Sequence, residues 1–385
     1  MRQIYLDHNA TTPLRKEVLD AMMPYLTSDY GNASSVHSKG QSALKAVESS
    51  REIIGNAIAT EPVDIVFTSG GTESDNFAIK GVAIANLDKG RHLITTQIEH
   101  HAVLESCKFL EEQLGFEVTY LPVDKYGVVD LNRLKEAIRK DTVLVSVMFA
   151  NNEIGTIQPI KEIAKITKKN GVYFHTDAVQ ALGKESIDVE DLGVDLCSFS
   201  AHKLSGPKGI GASYIRKGVK IVPFQAGGYH ERKRRAGTLN VPGIVGFAKA
   251  MEIAKRDMKK NNKHMKRLNK KLLTGLQKEL DEIYLNGHPD NRLSNTLNVS
   301  FRYIEGESLI LNFDMKGIFA STGSACTSGS LETSHVLTSI GVPPDRSQGS
   351  IRFSFGYENK DEDVDYCLIE IPPVVKRLRE MSPLC

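Results

Sequence analysis

Val172-Tyr173-Phe174-His175-Thr176-Asp177-Ala178-Val179-Gln180, followed after a short interval by Asp195-Leu196-Cys197-Ser198-Phe199-Ser200-Ala201-His202-Lys203, decides how this chain is built. Each stretch is a run with apolar residues on both faces, and each runs out onto a charged side chain, Asp177 in one case and Lys203 in the other. Strands of that texture belong inside a parallel sheet covered by helices. Working outward, similar runs predict strands at 64–68, 92–95, 117–121, 142–149 and 211–215, in addition to 172–176 and 195–199. Helical periods lie between several of them, at 72–86, 101–114, 131–139 and 160–169. The expectation is an α/β fold, a mostly parallel seven-stranded sheet covered by helices. Two helices should precede it, one opened by Thr12 as cap and Pro13 at its first position and running to about 26, and one at 37–59.

After Pro242 the texture changes. A long, lysine-rich helical period runs from about 244 to 282 with a rough apolar stripe (Ile253, Met258, Met265, Leu268, Leu272, Leu276). Its basic residues read as a solvated face rather than a nucleic-acid patch. The remainder predicts a smaller α+β unit, with strands near 296–301 and 350–355 and helices near 307–315, 331–340 and 360–380.

Composition bounds the function classes. The chain has 385 residues, 41% hydrophobic and 25% charged, which excludes disordered and collagenous classes and suggests two domains. Lys and Arg (49) nearly balance Asp and Glu (47), so charge gives no reason to expect nucleic acid or an acidic membrane as partner. The longest apolar run, near 143–150, is far short of the ~20 residues that span a bilayer. The five cysteines (107, 197, 326, 367, 385) form neither a C-x-x-C motif nor a Cys/His cluster, so no resident metal and no disulfide framework is expected. A reducing cytoplasm fits.

The chemistry should lie in loops at strand C-terminal ends. Thr68-Ser69-Gly70-Gly71-Thr72-Glu73-Ser74 joins a strand to a helix, where small residues and free N–H groups suit a phosphate; alone it is an ordinary helix start. Asp177 ends a buried strand, a costly place for a carboxylate without a cationic partner. Lys203 ends another, where a desolvated amine can condense with an aldehyde; the plainer alternative is that Asp177 and Lys203 pair with each other. Phosphate cradle, buried Asp and buried Lys together match the three handles of pyridoxal phosphate. Glu99-His100-His101 and Asn151-Asn152-Glu153 lie in further loops of this kind. In the smaller unit, Cys326 sits in Ser324-Ala325-Cys326-Thr327-Ser328-Gly329, a polar, small-residue stretch that suits a thiol that moves and reacts. Cys107, Cys197 and Cys367 read instead as core packing. Arg352, in an apolar strand, needs an anion and suits a substrate carboxylate.

These motifs, with Tyr5-Leu6-Asp7-His8-Asn9-Ala10-Thr11-Thr12 and Arg235-Ala236-Gly237-Thr238, resemble the NifS/IscS-like cysteine desulfurases of the class-V aminotransferase family, fold-type-I pyridoxal phosphate enzymes. The resemblance covers essentially the whole chain. It implies pyridoxal 5′-phosphate held covalently by Lys203, its ring nitrogen protonated against Asp177, its ring hydroxyl met by Gln180 and Asn152, and His100 stacked on the ring. Gly71, Thr72, Ser200 and His202 would bind the phosphate with Thr238 of a partner subunit, which implies a homodimer. Arg352, with Asn152, would bind the substrate L-cysteine. Cys326 would form the persulfide and serve as a transient iron–sulfur ligand, and His100 would shuttle the thiol proton. The sulfur would pass to an iron–sulfur cluster scaffold protein or another acceptor, such as a tRNA thiolation pathway. The division expected is a large cofactor-binding domain over 15–258 and a small domain over 1–14 and 259–385. Two positions depart from the family pattern, His8 and Ala236. The chain also ends at Cys385 with no extension of the kind through which some relatives dock a scaffold. A selenocysteine lyase or a small-amino-acid aminotransferase would share Lys203 and Asp177 without needing Cys326.

Overall fold

The computed structural model describes residues 2–322 and 333–382. Its strands, in chain order, begin with β1 (Ile4–Tyr5), β2 (Ile65–Thr68), β3 (His92–Thr96), β4 (Glu117–Leu121), β5 (Thr142–Ser146) and β6 (Tyr173–Asp177). They continue with β7 (Leu196–Ser200), β8 (Gly211–Ile215), β9 (Ile283–Asn286), β10 (Thr296–Phe301), β11 (Ile318–Phe319) and β12 (Ser350–Ser354). A seven-stranded sheet has the order β2-β8-β7-β6-β5-β3-β4. Its strands run parallel except β8, which is antiparallel to both β2 and β7. β5, β7 and β8 are buried along their whole length, which is why their sequences show no alternation.

One apolar cluster lies on the face carrying Ile94, Val145, Phe174 and Phe199, and another on the face carrying Val66, Leu93, Leu144 and Leu196. A separate cluster surrounds the three-stranded antiparallel sheet β12-β10-β9. Ile4 and Leu6 belong to it, brought there by β1, which pairs in parallel with β11. The helix Val241–Glu279 serves both: Phe247 and Met251 pack on the large sheet, and Leu268, Leu272 and Leu276 on the small one. Asn240 caps it by accepting from the Gly243 N–H at 3.1 Å. No helix among the described residues is long and apolar enough to cross a membrane.

Three local expectations are corrected. The first helix begins at Lys16, not at Pro13, and no side chain caps it. Thr12 is used elsewhere: its hydroxyl donates to the His202 carbonyl (2.6 Å) and accepts from the Ser205 N–H (2.8 Å), tying the N-terminal segment to the loop after β7. β5 stops at Ser146 rather than Phe149: beyond it the N–H groups of Val147 and Phe149 still reach the β6 carbonyls of His175 (3.1 Å) and Asp177 (2.8 Å), but the Met148 N–H turns to the Glu99 carboxylate (3.0 Å). The expected helix at 331–340 appears as His335–Ser339, with Ser334 capping it. The strands β9 and β11 have no counterpart among the strands expected from sequence; the β11 segment is too short for alternation to show.

Candidate active site

The loops that leave the C-terminal ends of β2, β3, β6 and β7 converge with the N-terminal segment 7–12. Gly71 and Thr72 open the helix Gly71–Ala85, whose N-cap, Gly70, has no side chain with which to cap it. Gly71, Thr72, Ser200 and His202 line one opening, together with Thr11 and Lys208. Small residues are required there. A Cβ on Gly71 would lie 2.7 Å from Val179 Cγ2, and one on Gly211 would lie 2.7 Å from Gly70 Cα. Uncapped amides, the hydroxyls of Thr11, Thr72 and Ser200, and the Lys208 ammonium in one concavity fit a phosphate dianion. Thr238 is exposed and is not among the residues lining that opening.

Asp177 terminates β6, and its carboxylate accepts from the Val179 N–H at 2.9 Å. Burial raises its pKa, opposed by that hydrogen bond and by the Lys203 charge. Behind it stands a group the sequence did not flag, Asp75, on the helix Gly71–Ala85. It is 1% exposed, and its Oδ1 has no hydrogen-bond partner. Oδ1 lies 3.7 Å from His175 Nε2, and that ring is held between the hydroxyls of Ser146 and Ser198, each at 2.9 Å. Burial pulls the His175 pKa down to about 3, while burial and then Asp177 push Asp75 well above the carboxylate range. His175 is therefore a neutral base at pH 7 and supplies no positive charge to either carboxyl, so Asp177 is left to find its cationic partner on the side of the site. A protonated pyridinium nitrogen fits that demand.

Lys203 follows β7 on a short turn, and its ammonium donates to the carbonyls of Asn9 (2.5 Å) and Ala10 (2.8 Å). No ion pair joins it to Asp177 among the described residues, so the simple pairing weighed above is not what the fold builds. Asn9 is the second group that sequence reasoning passed over. Its carbonyl also accepts from Gln180 Nε2 (3.0 Å), and its side chain donates to the Asn152 carbonyl (3.1 Å) and to Thr296 (2.9 Å). One residue thus gathers Lys203, Gln180 and Asn152. The signal available was its place inside the quoted motif at 5–12, with no chemistry of its own to mark it.

His100 caps the helix His101–Leu114, its Nδ1 accepting from the Ala102 N–H at 3.1 Å, which leaves the ring proton on Nε2. Burial, then Lys203, His101 and His335, pull its pKa down to about 4, so it is neutral at pH 7. Burial and Lys203 do the same to His202, whose Nδ1 meets the Thr11 hydroxyl at 3.1 Å. Arg352, 2% exposed on β12, already has an anion: it pairs with Asp7 at 2.7 Å and donates to the Asn152 carbonyl at 3.1 Å. Sequence reasoning left Asp7 without a role. Cys326 lies outside the described residues.

A parallel-sheet enzyme whose strand ends assemble a cradle of small residues and hydroxyls, a buried carboxylate and a half-buried lysine fits a pyridoxal-phosphate enzyme of the class-V aminotransferase type. The chain belongs to the class-V aminotransferase family, which it matches over residues 4–367. It is 58% identical to the cysteine desulfurase IscS of Methanosarcina thermophila, over 383 residues that cover 100% of this chain and 94% of that one. A solved NifS-like protein superimposes with a TM-score of 0.93 at 43% identity, covering 98% of this chain and 100% of the other. A structure described as SspA in complex with cysteine gives a TM-score of 0.81 at 37% identity, covering 92% and 99%. Within the family, then, this chain is a pyridoxal-phosphate-dependent cysteine desulfurase. The aminotransferase and selenocysteine lyase alternatives are not favoured by these relatives.

Proposed function

We propose that the chain takes sulfur from L-cysteine onto Cys326, releases L-alanine, and supplies the persulfide sulfur to iron–sulfur cluster assembly and other thiolation pathways. The observation that carries the assignment of roles is the convergence on Asn9: Lys203 and Gln180 share its carbonyl, and its side chain holds Asn152. Gly71, Thr72, Ser200 and His202 bind the cofactor phosphate, Asp177 its ring nitrogen, Gln180 and Asn152 the ring hydroxyl, and neutral His100 covers the ring. Bound pyridoxal phosphate supplies an electron sink for charge developing at the substrate α-carbon.

The chain's own residues do the rest. Lys203 Nζ, placed beside the carbonyls of Asn9 and Ala10, would take the substrate α-proton. Arg352 holds the substrate carboxylate, which requires that it share its guanidinium with Asp7. His100 moves the substrate thiol proton. Cys326 Sγ, as thiolate, then attacks the substrate sulfur. An S–S bond forms as the substrate C–S bond breaks, the electron pair stays on carbon, and that carbon takes a proton to give alanine. The buried thiols Cys107 and Cys367 have pKa values pushed up by burial and take no part.

The active form is a homodimer in which Thr238 completes the partner's phosphate site. Exposed apolar side chains flank the relevant segments, Tyr30 and Val36 before the second helix and Phe224 and Tyr229 on the chain leading to Thr238. Three buried free cysteines are consistent with a reducing cytoplasm. The split of core contacts along the helix Val241–Glu279 supports a large domain over 15–258 and a small one over 1–14 and 259–385. The test uses two variants. Lys203→Ala abolishes the visible absorbance of the purified protein, whereas Cys326→Ala keeps it and loses sulfide release by at least ~100-fold with a reductant present. Undiminished sulfide release from Cys326→Ala removes the persulfide role.

A further inference from the structure

A second lysine stands behind Lys203. Lys184 follows Gln180 by four residues in the turn after β6; it is 8% exposed overall and its ammonium is wholly buried. That ammonium donates to the Gln180 backbone carbonyl (2.8 Å) and to Gln180 Oε1 (3.3 Å). No carboxylate pairs with it among the described residues. A buried ammonium normally comes with a counter-ion, and one held only by neutral carbonyls is a costly arrangement. Lys184 also lines a cavity whose wall includes Lys203, His8, Arg15, Asn295 and Tyr357.

The charges facing Lys184 are mostly positive. Lys203 and Arg352 oppose its protonation, and only its neighbour Glu185 favours it. Arg15 lines the same cavity but is engaged by Asp257 at 3.1 Å, and His8 faces Glu358 at 3.5 Å. Asp7 is taken by Arg352. Burial and the Lys203 charge bring the pKa of Lys184 down to about 7.

We propose that Lys184 is a positioning residue of the cofactor site: its ammonium fixes the Gln180 amide and, by like-charge repulsion across the shared cavity, disfavours a proton on the Lys203 amine. The first link is geometric. With Oε1 turned to Lys184, Gln180 must present its NH2 to Asn9 and to whatever lies beside it, so it meets the cofactor's ring hydroxyl as a donor. The second link is electrostatic and reciprocal: a lysine whose protonation is opposed by Lys203 opposes the protonation of Lys203 equally. A catalytic lysine must be unprotonated both to condense with an aldehyde and to take a proton, and a neighbouring cation is one of the few ways to secure that near pH 7.

The proposal rests on the cofactor reading above, and its test separates the two. Holoenzyme is titrated with pH while the visible absorbance of the cofactor–lysine group is followed. In Lys184→Met the midpoint rises by about one pH unit relative to wild type, and in Lys184→Arg, which keeps the charge, it stays at or below the wild-type value. A Lys184→Met midpoint coincident with wild type overturns the proposal. Where Lys184→Met does not retain cofactor, cofactor-free protein is acylated with acetic anhydride across the same pH range and Lys203 modification is read by mass spectrometry. The profile of the Met variant then shifts to higher pH, and coincident profiles overturn the proposal equally. If wild type binds no pyridoxal phosphate, or Lys203→Ala keeps the absorbance, the cofactor reading fails, while the acylation profile still decides the role of Lys184.

Discussion

At the scale of single residues, the site works by making ionisable groups neutral where their charge would interfere. Glu99 shows how strongly burial acts here. Fully buried beside His100, it accepts from Thr96 (2.6 Å) and the Met148 N–H, yet its pKa is pushed up to about 8, mainly by desolvation. The linkage has a definite sign. A carboxyl whose folded pKa lies above its unfolded value binds more protons in the folded state, so its contribution is fully present below the unfolded pKa and is lost as pH rises towards 8. The Glu99 contribution to stability should therefore decline between about pH 5 and 8, and Glu99→Gln should remove that component, on the order of 3 kcal/mol, from the pH dependence of the whole protein. Urea denaturation at the two ends of this range measures it; equal pH dependence in both proteins would contradict the assignment.

At the scale of elements, the stretch that carries Thr238 is held by an anchor rather than by regular structure. Glu231, Arg232 and Lys233 all have φ between 45° and 66°, a left-handed run without glycine. Such residues persist only where the surroundings over-determine them. The anchor is Glu231, buried, whose carboxylate takes two hydrogen bonds from Arg51 (2.7 and 2.8 Å) and one from the Phe67 N–H (2.8 Å). Arg51, on the helix Ser38–Ala57, also donates to the Ile65 carbonyl, so the anchor fastens the loop to β2 directly ahead of the phosphate cradle. Removing one partner leaves a buried charge uncompensated, and Glu231→Gln should cost about 3–5 kcal/mol in chemical denaturation. Under the proposed shared site, in which this loop carries Thr238, the variant should also weaken cofactor retention. A loss under ~1 kcal/mol would show that the strained loop has other support.

At the scale of the whole molecule, the proposed shared site makes a prediction that no single-chain property can imitate. In a mixed dimer of Lys203→Ala and Thr238→Ala chains, one site carries both substitutions and the other carries neither. Mixing the two inactive proteins under conditions that exchange subunits should restore activity approaching one wild-type site per mixed dimer. Failure to restore any activity, with exchange demonstrated by mass, would place Thr238 in its own chain's site. The N-terminal segment has a comparable bridging role within one chain. β1 pairs with β11 beside the small sheet, Asp7 holds Arg352, and Asn9 reaches Lys203, so residues 4–10 bind the small unit to the catalytic loops of the large one.

Much of this was legible in the chain itself. The parallel sheet follows from apolar runs at 172–176, 195–199 and 211–215, because buried strands need no polar face. The candidate roles of Lys203 and Asp177 follow from charged residues at the ends of such runs, where burial makes a charge expensive. Local periodicity could not show what depends on residues far apart in sequence: that Asn9 gathers the site, that burial and Asp177 raise the pKa of Asp75, that Asp7 occupies Arg352, or that Lys184 has no counter-ion among the described residues. Each is a statement about which groups share a low-dielectric space. Thr12 makes the same point in reverse, since its cap signature was sound locally but its hydroxyl found partners in His202 and Ser205 once the chain had folded. Sequence alone determined the elements and the kinds of chemistry available, because those depend on propensity and residue type. Tertiary structure decided protonation and pairing, because these are set by desolvation and by neighbours that only the fold brings together.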